Sequence, residues 1–281
     1  MKKEKFKFIK TKRFKVIFIV ILILIAATAW YEIPVTEYVT ISSGGKVTNP
    51  VRFALVTDLH SELYGADQAD LIDRIDRENV DAILLSGDIV DDRFKDTTAR
   101  IFINKIAAKY PCYYVSGNHE FWSGRIGVIK DFMTAAGVTV LEGAASQLEI
   151  GGTTVDICGV DDPTYMTSEE FLAQLDTALA ESDEDHFRIL LSHRPEKVDI
   201  YENYDFDLVL CGHAHGGQWK IPFTQIGVHA PNQGLFPRFV DGVYELSNGS
   251  KMVVSRGLAR LRQPYPRFFN HPEVVIIDIT E

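Results

Sequence analysis

Cysteine is scarce in this chain. Cys112, Cys158 and Cys211 are the only three in 281 residues, and no two have the C-x-x-C spacing of a zinc or redox motif. Three cannot all pair, and each lies in an apolar, strand-like segment, so each reads as a small buried core residue. One disulfide in an oxidising compartment stays open. There is no internal repeat, and no low-complexity tract beyond the basic N-terminus. Basic charge is also scarce over most of the length. Residues 1–15 carry Lys2, Lys3, Lys5, Lys7, Lys10, Lys12, Arg13 and Lys15 against Glu4 alone, a net of +7, so a total of −10 leaves −17 on the remainder. A body that acidic lacks the surface that phosphate-backbone binding requires, and no nucleic-acid partner is expected.

What is present is enough apolar residue, 46% of the sequence, for a full core in one large domain plus an appendage. The appendage is N-terminal. A basic cytoplasmic segment, 1–15, precedes an apolar run at 16–29 broken only by Thr28, and Trp30 and Tyr31 follow. A helix from 16 to 33 would span roughly 27 Å, close to the roughly 30 Å hydrocarbon core of a bilayer. Cations before the run and aromatics after it fit an uncleaved signal-anchor at 16–33, pointing outward. A cleaved signal peptide is the alternative, since Ala27-Thr28-Ala29 has the A-x-A pattern. Either way the body is expected outside the cytoplasm, as a single-pass protein of the cell membrane if the anchor is kept. Residues 34–50, with Ser42-Ser43-Gly44-Gly45, read as a linker.

From 51 onward the pattern alternates as in α/β proteins. Strands are predicted at 51–57, 81–86 and 112–116, with helices near 66–79, 96–109 and 123–136 after them. Shorter strands follow at 138–141, 147–150 and 153–159, then a helix near 168–181 and strands at 187–191 and 207–211. The tail changes to strands at 240–246, 252–254 and 274–279, with Asn248-Gly249 as a hairpin turn. Strand–helix units followed by hairpins suggest two packed sheets with helices outside, although periodicity alone also allows a single large sheet.

Five polar motifs follow strand-like runs: Asp58-Leu59-His60, Gly87-Asp88, Gly117-Asn118-His119-Glu120, Ser192-His193 and Gly212-His213-Ala214-His215. Ligands of open α/β sheets bind beyond the carboxyl ends of strands, so these motifs can converge. Asp58 and His60 are two apart on an extended segment and project to the same side. Asp88 offers a carboxylate that could bridge two ions, Asn118 an amide oxygen, and His193, His213 and His215 imidazoles. Two carboxylates, one amide, four imidazoles and no thiolate suit Mn, Fe or Zn better than Ca or Mg. Two such ions would clamp a phosphoryl group and generate a bridging hydroxide, and His119 is placed to protonate the leaving oxygen. Asp91 and Glu120 read as hydrogen-bonding supports. Asp-x-His, Gly-Asp and His-x-His each have an ordinary explanation alone, such as a turn or a helix cap; Gly-Asn-His-Glu is more specific, since neither explains an Asn-His pair at a strand end, and the five together have none.

In these blocks the chain resembles the calcineurin-like metallophosphoesterase superfamily, whose pattern runs D-x-H, G-D-x-x-D, G-N-H-E, a lone His and G-H-x-H. The resemblance covers 51–281, the expected catalytic domain. It implies a four-layer α/β/β/α sandwich, here preceded by the N-terminal transmembrane helix, and a dinuclear centre. It implies Asp58, His60, Asp88 and His215 on one metal, Asp88, Asn118, His193 and His213 on the other, and His119 as the catalytic residue. Gly216-Gly217-Gln218 and Val254-Ser255-Arg256-Gly257-Leu258 are similar to a bacterial membrane-associated subgroup that includes relatives of UDP-2,3-diacylglucosamine hydrolases. Thr11-Lys12-Arg13-Phe14-Lys15 has one arginine and lacks the spacer of a twin-arginine signal.

Substrate choice points to Trp219–Phe223, Phe236–Phe239 and the arginines Arg256, Arg260, Arg262 and Arg267. Arg256 and Arg260 are candidates to hold a second phosphate or a headgroup, and the aromatics to admit an acyl chain or simply to pack a loop. The reading is a membrane-anchored phosphoesterase or pyrophosphatase acting on phospholipid or nucleotide-linked lipid. A protein phosphatase or nuclease of the same fold, or a catalytically silent interaction module, are the alternatives.

Overall fold

A computed structural model describes residues 2–29, 33–260 and 266–281. Trp30, Tyr31 and Arg262 lie outside the described residues. Two six-stranded sheets build the body. The first runs β1 (Val35–Ser42), β14 (Glu273–Thr280), β2 (Val51–Val56), β3 (Ala82–Ser86), β4 (Cys112–Val115) and β5 (Thr139–Val140). The second runs β12 (Gly242–Glu245), β13 (Lys251–Val254), β9 (Leu208–Cys211), β8 (Phe187–Leu191), β7 (Thr153–Gly159) and β6 (Ala144–Ile150). A separate hairpin joins β10 (His229–Ala230) to β11 (Gly234–Leu235).

Strand alternation produces the layers. In β2, Phe53 and Leu55 face Val155, Ile157, Ile189 and Leu191 of the other sheet. Ala54 and Val56 face the opposite way, onto the helices Ala69–Asp76, Thr97–Ala107 and Ile126–Ala135. In Thr97–Ala107 the buried residues Ala99, Phe102, Ile103 and Ile106 recur at helical spacing and form one apolar stripe. On the far side of the second sheet, Leu190, Val209 and Met252 meet Phe171, Leu175 and Ala178 of the helix Ser168–Ala180. That helix starts on a capping box, with Thr167 Oγ1 accepting from the Glu170 N–H and Glu170 Oε2 from the Thr167 N–H. Helix, sheet, sheet and helix are therefore stacked as a mixed α/β sandwich. Strands buried on both faces read as continuous apolar runs, and the central ones were legible for that reason.

β2, β3, β4 and β5 are mutually parallel, as are β7, β8, β9 and β13. Their carboxyl ends meet at one seam. There the Ser86 hydroxyl lies 3.0 Å from the carbonyl oxygens of both Ser192 and Leu210, a link from the first sheet to the second.

Two expectations are revised. Part of the segment read as a linker, 34–50, is β1, which pairs in parallel with β14 over its whole length. Its buried and exposed residues do not alternate cleanly, because it is an edge strand whose Thr36, Glu37 and Tyr38 meet solvent. The second revision concerns the anchor. The first helix, Lys2–Ala29, takes in the basic segment as well as the apolar run, and among the described residues no helix is long and apolar enough to cross a membrane. The expected single-pass anchor at 16–33 and the placement in the cell membrane that rested on it are corrected accordingly. The segment 229–235, to which the sequence reading assigns no element, forms the β10–β11 hairpin.

All three cysteines are buried and free. Burial pushes the Cys112 and Cys158 thiols up to about 12, and Cys211 also well above the ordinary range. Little thiolate is then present to react. Native protein at pH 8 is expected to resist iodoacetamide, and guanidinium-unfolded protein to take up three equivalents, read by intact mass. Rapid native labelling would contradict the burial.

Candidate metal centre

Six strand ends supply the site: β2, β3, β4, β8, β9 and β13 deliver Asp58, Asp88, Asn118, His193, His213 and Gly257 within two or three residues of their last paired position. Asp58, His60, Asp88, Asn118 and His193 are essentially inaccessible, and His213 and His215 nearly so. Five of the seven sit at positive φ: Asp58 at 51°, His60 at 47°, Asp88 at 53°, His213 at 65° and His215 at 47°. Non-glycine residues rarely adopt this region, and strain of this kind collects where side chains must be aimed rather than packed.

The loops are tied together through Glu120. Its carboxylate accepts the N–H groups of Asp88 at 2.9 Å, Val90 at 2.9 Å and Gly117 at 2.8 Å. Thr57 Oγ1 donates to Asp58 Oδ2 at 2.8 Å, and the His213 N–H reaches the same carboxylate at 3.1 Å. Gly257 explains part of the Val254–Leu258 motif. At φ +67° a Cβ there would lie 2.5 Å from the Asp58 Cβ, so only glycine lets this strand end approach.

Four groups of ligand-type atoms result among the described residues; two of them, Asp58–His60–His215 and Asp88–His193–His213, are made only of residues the sequence assigns to metal, and the other two, His60–Asp88–His119 and Asp91–Asp92–His119, include His119. Ligand atoms bound about 2.0–2.2 Å from one ion stand roughly 3.0–3.4 Å from one another. His215 Nε2 is 3.4 Å from Asp58 Oδ1, His193 Nε2 is 3.1 Å from Asp88 Oδ2, and His213 Nδ1 is 3.2 Å from His193 Nε2. Asp88 Oδ2 is also 3.6 Å from His60 Nε2, so one oxygen faces both clusters. His60 Nε2, Asp88 Oδ2 and Asn118 Oδ1 are buried without a hydrogen-bond partner. Orphaned polar atoms are costly and rare, and these three are ligand atoms that the sequence assigns. The donor set therefore fits divalent cations.

Charge supports the same conclusion. Burial alone would lower the His193 pKa, but the Asp88 carboxylate outweighs it and carries it up to about 10. The same acidic field that draws a proton to His193 draws a cation. Burial and neighbouring cations hold His213 and His215 well below the ordinary imidazole value. They are neutral, the form that ligates metal.

Supporting partners orient the rings. His193 Nδ1 donates to the Ser86 carbonyl at 2.8 Å, and His60 Nδ1 lies 3.0 Å from Asp91 Oδ2. His119 is partly accessible, with Nδ1 2.6 Å from Asp92 Oδ1 and Nε2 4.0 Å from Asp88 Oδ2. Asp91 and Glu120 act as the supports the sequence suggests. Asp92, Arg194 and Asn232 were missed. Asp92 directly follows the fourth residue after Gly87, and Arg194 directly follows His193, so proximity was the available signal; Asn232 had none.

The two arginines proposed for substrate lie differently. Arg256 Nη2 bonds Glu37 Oε1 at 2.7 Å and also pairs with Glu273. Arg260 donates to the Leu63 carbonyl, stacks over Tyr64 with its guanidinium carbon 4.1 Å from the ring centroid, and lies 3.8 Å from Glu62. Trp219 packs edge-on against Phe268 and donates to the Pro266 carbonyl at 2.8 Å, whereas Phe223 and Phe236 stand exposed. Gly217, Gln218, Trp219, Val228, His229 and Leu235 line a largely apolar cavity of about 310 Å³, its first lining residue two positions after His215 in the chain.

The calcineurin-like phosphoesterase profile matches residues 51–217, more than half of the chain. The chain belongs to that family. A metallophosphoesterase of Aquifex aeolicus is 31% identical over 238 residues, covering 82% of this chain and 85% of its own. One from Helicobacter pylori is 29% identical over 216 residues and covers 75% of this chain; the chain spans 55% of that relative's length. A crystal structure of a dimetal phosphatase from Danio rerio gives a TM-score of 0.48 at 15% identity, covering 75% of this chain and 88% of that one.

Gly257→Ala would displace Asp58 without removing any ligand. The expected result is a folded protein that binds divalent metal about 10–100-fold more weakly, the usual cost of disturbing a ligand's support. Unchanged affinity in a chelator competition would contradict this placement of Asp58.

Proposed function

We propose that residues 51–281 form a dinuclear-metal phosphoesterase that hydrolyses phosphoester or pyrophosphate bonds. The observation that carries the reading is Asp88 Oδ2, a buried oxygen that stands between the two ligand clusters, 3.6 Å from His60 Nε2 and 3.1 Å from His193 Nε2. Asp58, His60, Asp88 and His215 would hold one ion, and Asp88, Asn118, His193 and His213 the other. Bound ions of this kind supply Lewis acidity toward a phosphoryl oxygen and toward water.

His119 does the proton work. Its Nδ1 donates to the Asp92 carboxylate, which fixes the ring and turns Nε2 toward the clusters. Burial pulls its pKa down while Asp88 and Asp92 oppose that; with Nδ1–H held by Asp92, the imidazolium form carries the Nε2 proton that a departing oxygen would take. Trp122 packs against the ring at 4.8 Å and limits the water around it. The cavity that Trp219 helps to line and the exposed Phe223 and Phe236 support a leaving group with an apolar part, the phospholipid or nucleotide-linked lipid class. Such a substrate should then outperform a soluble diester in kcat/KM; equal values would remove the apolar assignment and leave the phosphoesterase reading in place.

The test of the activity is hydrolysis of bis-p-nitrophenyl phosphate by the full chain, metal-stripped and then given Mn²⁺. Activity should depend on added metal, and His119→Ala should lower kcat about 10²–10⁴-fold with its bound metal retained. A metal-replete variant as active as the wild type would remove His119 from the mechanism.

A further inference from the structure

The β10–β11 hairpin lies outside all five polar motifs, yet its tip touches His213, one of the candidate ligand histidines. Asn232 Oδ1 lies 2.9 Å from His213 Nε2 and 2.7 Å from Arg194 Nη1. Arg194 Nη1 is itself 3.0 Å from His213 Nε2. The arginine is almost wholly buried and is held in place by Asp162, with Nε 2.5 Å from Oδ2 and Nη2 3.0 Å from Oδ1.

Counting protons at this contact leaves two arrangements. A guanidinium only donates, and a neutral imidazole carries one N–H. If His213 Nε2 accepted from Arg194, the ring proton would sit on Nδ1, facing His193 Nε2 at 3.2 Å, and Nδ1 would have no lone pair for a cation. If the proton sits on Nε2, it needs an acceptor that Arg194 cannot supply. Asn232 Oδ1 is that acceptor, and with two lone pairs it takes both N–H groups. Asn232 is at φ 59°, a conformation asparagine tolerates better than most residues, so the turn can hold the amide in place.

We propose that Asn232 is a positioning residue for the metal centre: it selects the Nε2–H tautomer of His213 and so presents Nδ1 to the cation shared with Asp88 and His193. The inference rests on the dinuclear reading above. It makes the β10–β11 hairpin part of the metal site, although no ligand lies in it. One of the two ions depends on this contact; the cluster Asp58–His60–His215 does not.

The test is Mn²⁺ binding by the full chain, by equilibrium dialysis and chelator competition, in wild type, Asn232→Gly and Asn232→Asp. Glycine removes the acceptor without straining the positive φ, and aspartate keeps it. Thermal unfolding of the metal-free proteins checks that all three fold alike. The expected result is that the wild type binds two ions and Asn232→Gly weakens one of them about 10–100-fold, while Asn232→Asp restores it. Wild-type binding in Asn232→Gly would overturn the inference, as would equal loss in both variants, which would mark a structural role for the turn. No metal bound by the wild type would instead overturn the dinuclear reading itself.

Discussion

The structure depends on two carboxylates buried at a seam between sheets. Asp58 and Asp88 are removed from water, and Asp88 Oδ2 faces the imidazoles of His193 at 3.1 Å and His60 at 3.6 Å. Burying an uncompensated charge is strongly unfavourable, so the seam calls for positive charge, either protons on the imidazoles or cations among them. The carboxylate field that carries His193 up to about 10 expresses that demand in the absence of a metal. Neutral His213 and His215 express the complementary fact that the pocket already has lone pairs to offer.

Much of the surrounding fold reads as the means of holding those charges in place. Parallel strands bring six chain ends to one line, which antiparallel pairing would scatter. The Ser86 hydroxyl joins the two sheets where they converge, and the Glu120 carboxylate fixes the loops after β3 and β4 by three backbone N–H groups. Five ligands at positive φ are strained locally, and the apolar layers on both faces of each sheet supply the stability that tolerates it.

Legibility from sequence followed the same physics. The central strands are apolar on both faces, so their runs announced themselves, and each ended on the polar motif that turned out to lie at the seam. The edge strand β1 was taken for a linker because Val35–Ser42 mixes Thr, Glu and Tyr with its apolar residues, and its partner β14 lies more than 230 residues away in the chain. The apolar run after residue 15 suggested an anchor that the described helix does not support. The candidate ligands could be picked out because residue type and spacing carry their chemistry. Their partners could not: Asp92, Arg194 and Asn232 matter only through distances set by tertiary contacts, as with Arg256, whose guanidinium is taken up by Glu37 and Glu273.

The most direct test is a crystal structure of the Mn²⁺-loaded protein with anomalous scattering measured at the manganese edge. The account predicts two peaks about 3.5–4 Å apart, with the Asp88 carboxylate between them, Asp58, His60 and His215 around one and Asn118, His193 and His213 around the other. A single peak, or peaks away from Asp88, would contradict it.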